Sequence, residues 1–146
     1  MDVKFQDNGN LEPGVHLMTI NDFEAIFART EHRANLVLGL KLGLTELADC
    51  GCRRVFIDGS FVTLKIIPGD FDACWDAEGV DIQRIMDHYP TLIDFREERR
   101  YQKDRYSGEF FPAQGIASTN PYSLYYDFFQ NDKNNDPKGI VQINLI

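Results

Sequence analysis

The sequence predicts a single α/β (α+β) domain in which a small mixed β-sheet is backed by helices. Leucines recur at helical spacing between residues 33 and 49, which indicates one long helix. Short apolar runs bounded by turn residues, such as 55–58, indicate strands. A chain of 146 residues has room for one domain and can bury a core. We therefore assign residues 1–146 to one domain and residues 1–12 to a polar loop.

Two helices are expected before the first long strand. Thr19 is followed three residues later by Asp22, a capping pattern that predicts a helix over 20–29. The second helix, over 33–49, has an apolar stripe that we expect Leu38 and Leu42 to widen; its other members are Leu36, Leu40, Leu44 and Leu47.

Further elements follow in chain order. Glycines at positions 39 and 43 predict close packing of the second helix against a neighbour. Turn residues and periodicity predict strands over 55–58, around 70–72, over 109–112 and over 139–145. They also predict helices over 81–88, 92–103 and 122–130, with 114–121 as a loop.

The charge balance favours some partners over others. Fifteen basic and 23 acidic residues give a net charge of −8, which argues against a broad nucleic-acid-binding surface. The segment 96–105 runs the other way, with five basic and three acidic residues. We expect a solvated helix face there, and a patch for an RNA end or a triphosphate is the alternative.

Composition also indicates a compartment. No apolar run approaches the ~20 residues of a membrane span, and the first residues lack the pattern of a signal peptide. A cytoplasmic protein is therefore expected. The three cysteines are odd in number and lack zinc-site spacing, so we expect reduced, structural thiols.

One stretch carries the chemistry. Asp58 precedes a turn at Gly59-Ser60, and the pair Asp70 and Asp72 follows Pro68-Gly69. Alternate residues of a strand share a face, so the pair would project together. Neighbouring carboxylates repel unless a cation lies between them, and Mg²⁺ favours hard oxygen ligands. A glycine-serine turn offers backbone N–H groups and a hydroxyl to a phosphate. This layout suits phosphoryl or nucleotidyl transfer.

At these residues the sequence resembles the DNA polymerase beta-like nucleotidyltransferase superfamily. Its signature is matched by Gly59-Ser60, nine intervening residues and Asp70-Phe71-Asp72, a spacing at the short end of the range. The wider chain is similar to small uncharacterised bacterial nucleotidyltransferase-like proteins, through Pro13-Gly14, the segment 59–75 and the ending 127–141. The resemblance implies a minimal nucleotidyltransferase fold.

The superfamily uses a third carboxylate from a neighbouring strand. Glu109, at the start of the expected strand 109–112, occupies the matching place, and a solvated strand-end acid is the alternative. Asp94 is the second choice, although helix capping explains it well. Asp70, Asp72 and Glu109 would then hold two magnesium ions.

The phosphate-binding residues are expected on the turn and just after it. Ser60 would bond a phosphate oxygen, Gly59 would allow close approach, and Lys65 could pair with a β- or γ-phosphate, although a surface lysine is the simpler explanation. Asp58 stands where the signature has a hydrophobic residue; it is either a helix cap or a further ligand.

The resemblance implies a metal-dependent transfer of a nucleoside monophosphate from a nucleoside triphosphate to an acceptor hydroxyl. Small members often belong to bacterial toxin–antitoxin or phage-defence pairs and modify a partner protein or RNA; the acidity favours protein. A cognate partner or a homo-oligomer could supply further substrate-binding surface. The alternatives are a non-catalytic antitoxin or binding module that retains the fold, and a nuclease-like phosphodiesterase.

Overall fold

A five-stranded mixed sheet forms the centre of the molecule in a computed structural model that describes residues 2–145. The strands of the described residues are β1 (Val15–Leu17), β2 (Arg54–Asp58), β3 (Phe71–Trp75), β4 (Gly108–Pro112), β5 (Ile116–Thr119), β6 (Tyr122–Leu124) and β7 (Ile140–Asn144). Of these, β5 and β6 form a separate two-stranded sheet. The helices are α1 (Ile20–Phe27), α2 (Glu31–Asp49), α3 (Ile82–His88), α4 (Arg96–Tyr106) and α5 (Tyr125–Phe128). The mixed α+β class predicted from the sequence is confirmed.

The main sheet has the order β1-β7-β2-β3-β4. The two outer pairs, β1 with β7 and β3 with β4, are parallel. The two inner pairs, β7 with β2 and β2 with β3, are antiparallel. Consequently the end of β2 lies beside the start of β3, and the start of β3 lies beside the start of β4.

Alternation along the strands divides the core between the two faces of this sheet. On one face Val55, Ile57 and Ala73 join a large cluster with residues of α1, α2 and α4. On the other face Phe56, Cys74 and Phe111 form a smaller cluster, covered by aromatic side chains of the segment 125–129. All three cysteines, Cys50, Cys52 and Cys74, are buried and free, as expected of structural thiols.

The helices predicted from capping and leucine spacing are present. Thr19 Oγ1 accepts the N–H of Asp22 at 3.1 Å, which caps α1 as predicted. The helix α2 begins two residues earlier than expected, at a Thr30 cap. The prediction that Leu38 and Leu42 widen its buried stripe is wrong, because they face solvent with exposures of 67% and 40%.

The element α4 is shifted from the predicted helix over 92–103. Pro90 opens a separate 3-10 turn, Pro90–Ile93, and α4 follows it as Arg96–Tyr106. Proline suits the first position of such a turn, since it has no N–H to leave unpaired. Glu97, Glu98 and Arg99 have positive φ values of 50°, 56° and 63°, so the first turn of α4 is not regular helix.

The predictions for residues 114–130 are wrong in part. The expected loop 114–121 contains β5, and the expected helix 122–130 is divided between β6 and the single turn of α5. Asn120-Pro121 forms the turn between β5 and β6, which pair antiparallel. Of the aromatic residues that suggested a helix, Tyr125, Tyr126 and Phe129 pack on the sheet, as in the stacking of Tyr125 on Phe111 at 4.4 Å between centroids. Tyr122 and Phe128 are exposed. Aromatic side chains suit strands as well as helices.

No helix among residues 2–145 combines the length and the apolar character needed to cross a membrane.

Candidate active site

Three carboxylates lie in a row across adjacent strands. Asp58, the last residue of β2, is paired with Asp72 of β3, and Asp72 is paired with Glu109 of β4. Residues paired across a sheet point to the same face. By alternation this is the face of Phe56, Cys74 and Phe111, which carries the smaller cluster. The fold therefore brings together acids that are 14 and 37 positions apart in sequence.

Asp58 is the most deeply buried member of the row. Its exposure is 1%, and neither carboxylate oxygen has a hydrogen-bond partner among residues 2–145. Burial is the main reason that its pKa lies well above the usual value, and the neighbouring Asp72 raises it further. Buried polar atoms are normally paired, so these two oxygens are suited to a ligand or a proton. The sequence left the role of Asp58 open, and its place at the end of a buried strand was the available signal.

Asp72 lies at the centre of the row. Burial, followed by the charges of Asp70 and Glu109, raises the pKa of its carboxyl to about 7. Asp70 precedes β3 and is half-buried; burial and then Glu109 raise its pKa as well. The charge of Asp70 acts on Asp72, so the two carboxylates are near enough to interact; that they project together from one face stays a prediction. Their mutual repulsion is what a bound cation would relieve.

Glu109 lies beside Asp72, where a third carboxylate was expected. Its Oε2 accepts the Arg99 Nε–H at 2.9 Å, and its Oε1 lies 3.2 Å from Lys103 Nζ. Two cations of α4 therefore neutralise this acid. The segment 96–105 is mostly exposed, as expected of a solvated helix face, and its Arg99 and Lys103 also contact an acid of the row.

The second choice for the third carboxylate, Asp94, lies elsewhere. It binds Arg96 through two side-chain hydrogen bonds of 2.9 and 2.7 Å and accepts the Arg96 backbone N–H at 3.1 Å. These bonds lower the pKa of Asp94. Asp94 lies next to the start of α4, as expected, but the cap residue of that helix is Phe95, and the Asp94 side chain instead bonds Arg96 two residues later.

The Gly59-Ser60 turn is fitted tightly against the row. Gly59 has a φ of +76°, a conformation that favours glycine. A Cβ atom there would lie 2.4 Å from Asp72 Oδ2. Glycine is therefore required twice at this position, once by the backbone and once by the carboxylate. The residues Gly59–Val62 continue as a single 3-10 turn.

A cleft with a volume of about 1210 Å³ opens beside this turn. Asp58, Asp72, Gly59 and Ser60 line it. Its remaining lining comes chiefly from the N-terminal loop, the β5–β6 hairpin, Phe128, Phe129 and the segment 131–138. Asp70 and Glu109 do not contribute to this lining, so the row is open to the cleft at its β2–β3 end.

Three lysines also line the cleft, namely Lys65, Lys133 and Lys138. The predicted Lys65 is exposed at the rim, and its carbonyl oxygen accepts a hydrogen bond from the buried Arg33. Lys138, on the segment before β7, was not identified from the sequence. Its charge lowers the pKa of both Asp58 and Asp72, which places it near the row. No local motif marks Lys138, because only the pairing of β7 with β2 brings it to the site.

The donor set can be compared with the needs of a metal ion. Within residues 2–145, no three side chains of His, Cys, Asp or Glu converge in a ready-made metal site. The row nevertheless offers hard carboxylate oxygens, and both oxygens of Asp58 are unpartnered. Hard, divalent cations such as Mg²⁺ prefer this chemistry. The row therefore has the donor chemistry that such an ion prefers, although no three of its carboxylates converge on one point in this structure.

Comparison with known proteins identifies the family to which the chain belongs. No curated protein and no solved structure matches the chain. Residues 3–144 match the model of a protein family described as a family of unknown function (DUF6932). Because the match covers nearly the whole sequence, the chain belongs to this family of unknown function, DUF6932.

Proposed function

We propose that the protein is a metal-dependent nucleotidyltransferase, which moves a nucleoside monophosphate from a nucleoside triphosphate to an acceptor hydroxyl. The observation that carries the proposal is the row Asp58–Asp72–Glu109, aligned on three strands beside the Gly59-Ser60 turn. The finer identification of the fold as a minimal nucleotidyltransferase fold belongs to the same proposal.

The row provides the anionic ligands. Asp70, Asp72 and Glu109 are the predicted magnesium ligands, and the unpartnered oxygens of Asp58 make it a fourth candidate. Bound magnesium would polarise the α-phosphate and favour deprotonation of the acceptor hydroxyl. With Asp72 near a pKa of 7, a cation competes with a proton for this carboxylate, so metal binding should strengthen as the pH rises through 7.

The cleft provides room for the nucleotide. Ser60 lines it next to Asp58 and Asp72, so its hydroxyl is available to donate to a phosphate oxygen. The absence of a side chain at Gly59 leaves the Asp72 carboxylate uncovered. Phe128 and Phe129 line the same cleft and could stack on a base.

The acceptor is proposed from charge. A chain with a net charge of −8 repels a polynucleotide, whose phosphates need several basic contacts. We therefore favour a hydroxyl on a protein over one on RNA. A cognate partner in a toxin–antitoxin or phage-defence pair in the cytoplasm remains part of the proposal.

Label transfer tests the activity. The purified protein is incubated with Mg²⁺, cell lysate and each α-labelled nucleoside triphosphate in turn. We expect label on a protein band with the wild type and none with Asp72→Asn, since the variant keeps the shape of the side chain without its charge. Asp94→Asn, which removes a carboxylate outside the row, is the matched control. No transfer with any nucleotide, or equal transfer by Asp72→Asn, would contradict the proposal.

A second function is favoured by a different observation. Arg99 and Lys103 already neutralise Glu109, so the third carboxylate is satisfied within the protein. A non-catalytic binding module, which acts on a partner by contact alone, has no need of Glu109 as a metal ligand, so these ion pairs could stay intact. Thermal stabilisation by Mg²⁺ and a nucleoside triphosphate separates the two functions, because the binding module should show none.

A further inference from the structure

We propose that Lys138 binds the β- and γ-phosphates of the nucleoside triphosphate, in the role that the sequence pattern suggested for Lys65. This inference rests on the proposed function, because it concerns the substrate of the same site. It assigns the phosphate-binding cation to a residue 78 positions after the Gly-Ser turn.

The position of Lys138 follows from the sheet. Lys138 lies two residues before β7, whose Val141 is paired with Ile57 of β2. Since β7 and β2 are antiparallel, the start of β7 adjoins the end of β2, where Asp58 and the Gly59-Ser60 turn lie. Lys138 lines the same cleft as these residues.

The backbone around Lys138 is fixed on both sides. The Lys138 N–H donates to the carbonyl of Gln130 at 2.9 Å, and the Gly139 N–H donates to the carbonyl of Leu11 at 2.9 Å. A Cβ atom at position 139 would lie 2.1 Å from the Glu12 carbonyl oxygen, so the chain is closely packed there. The lysine stem therefore starts from a well-defined point at the edge of the cleft. Phosphate binding therefore costs less conformational entropy than it would for a lysine on a mobile segment.

Its charge is available for an incoming anion. The Lys138 ammonium acts on both Asp58 and Asp72, yet it forms no ion pair within 4.0 Å with any acid of residues 2–145. Arg99 and Lys103, at the other end of the row, are both paired with Glu109. A triphosphate that enters the cleft toward Asp58 and Asp72 thus meets Lys138 as a partly buried, uncommitted cation. Charge-assisted bonds between ammonium and phosphate are among the stronger hydrogen bonds in proteins.

Lys65 and Lys133 serve as internal comparisons. Both line the cleft and both are exposed, but neither contributes to the shifted pKa values of Asp58 and Asp72. Exposed cations at a rim add little binding energy, since water and salt screen them. We therefore expect them to contribute less to phosphate binding than Lys138 does.

The test is isothermal titration with Mg²⁺ and each of the four nucleoside triphosphates, on wild type, Lys138→Gln, Lys138→Arg, Lys65→Gln and Lys133→Gln. For the nucleotide that binds best, Lys138→Gln should weaken binding about tenfold or more, since it removes a charged hydrogen bond. Affinity for the corresponding monophosphate should change less than about twofold, because the terminal phosphates are absent. Lys138→Arg should restore part of the loss, and the other two lysine variants should stay within about threefold of wild type.

The outcomes are distinguishable. Wild-type binding that Lys138→Gln leaves unchanged, in a variant whose circular dichroism is native, would overturn the role of Lys138 and leave the proposed function standing. An equal loss for the triphosphate and the monophosphate would also overturn it, because a role at the terminal phosphates predicts a difference. A wild type that binds none of the four triphosphates would overturn both proposals.

Discussion

The carboxyl group of Asp72 links the structure of the site to the stability of the protein. Its pKa of about 7 lies above the usual 3.8, with burial as the largest cause. Between these values the folded state holds a proton that the unfolded state has released. The free energy of unfolding therefore falls as the pH rises from about 4 to about 7. Above that range the destabilisation by this group is complete and no longer changes with pH. In the absence of a ligand, the acid row destabilises the fold at neutral pH.

Replacing Asp72 by asparagine should consequently stabilise the protein at alkaline pH. We expect Asp72→Asn to raise the free energy of unfolding by about 1–4 kcal/mol at about pH 8, with little effect near pH 4. Urea denaturation at both pH values measures the difference. A variant that is no more stable than wild type at the higher pH would contradict this account of the row.

Asp94→Asn is the matched control. Hydrogen bonds from Arg96 lower the pKa of Asp94 below its usual value. The carboxylate thus favours the folded state at neutral pH, and this contribution is lost as the pH falls toward its folded pKa. The same substitution should therefore give no gain in stability at about pH 8. A gain in stability for Asp94→Asn at about pH 8 would show that the substitution of asparagine for aspartate stabilises the protein even outside the row.

At the scale of elements, the helix α2 determines how closely α4 and β4 approach the core. A Cβ atom at Gly39 would lie 1.7 Å from the Tyr106 carbonyl oxygen, and one at Gly43 would lie 2.3 Å from the Phe110 ring. The close packing predicted from these two glycines is confirmed. Phe110 adjoins Glu109, so the contact also fixes the β4 end of the acid row.

Adding one methyl group at Gly39 should therefore disrupt the packing of α2. We expect Gly39→Ala to lower the free energy of unfolding by about 3 kcal/mol or more, because the obstructing atom belongs to the backbone. Gly69→Ala is the control, since its Cβ would meet nothing within 4 Å. Denaturant titration of both variants checks the difference. A Gly39→Ala protein as stable as Gly69→Ala would show that α2 and α4 are less closely packed than described.

The elements differ in how far sequence could predict them. Local signals, such as the Thr19 cap and the leucine spacing of α2, depend on neighbours within a few residues and were sufficient to identify those helices. The prediction of one helix over the aromatic segment 122–130 was wrong, because periodicity alone does not separate a short strand and one helical turn from a continuous helix. Tertiary packing decides such segments.

At the scale of the whole molecule, the site is assembled from distant parts of the chain. The spacing of Gly59-Ser60 and Asp70–Asp72 was readable because these residues lie within one stretch of sequence. The alignment of Asp58 with Asp72, and the arrival of Lys138 from the start of β7, depend on strand order and register. Neither can be derived from local spacing. The pairing of Glu109 with Arg99 and Lys103 likewise depends on how α4 packs against β4.

The charge of the molecule is unevenly placed around this site. A net charge of −8 coexists with three cations near the row, namely Arg99 and Lys103 at the β4 end and Lys138 at the β2 end. Of these groups, only Lys138 lines the cleft, together with Asp58 and Asp72 at the β2–β3 end of the row. This charge pattern is the one that the proposed function requires, since a divalent cation and an anionic substrate would bind there together.

Direct binding of Mn²⁺, a spectroscopic substitute for Mg²⁺, tests the central claim that the row is a cation site. Electron paramagnetic resonance at about pH 8 reports free Mn²⁺ during titration of wild type, Asp58→Asn, Asp72→Asn and Asp94→Asn, and a repeat at about pH 6 adds competition from protons. We predict that wild type and Asp94→Asn bind Mn²⁺ alike, that both variants of the row lose about tenfold or more in affinity, and that wild-type binding weakens at the lower pH. Equal binding by wild type and Asp72→Asn, or no binding by wild type, would contradict the claim.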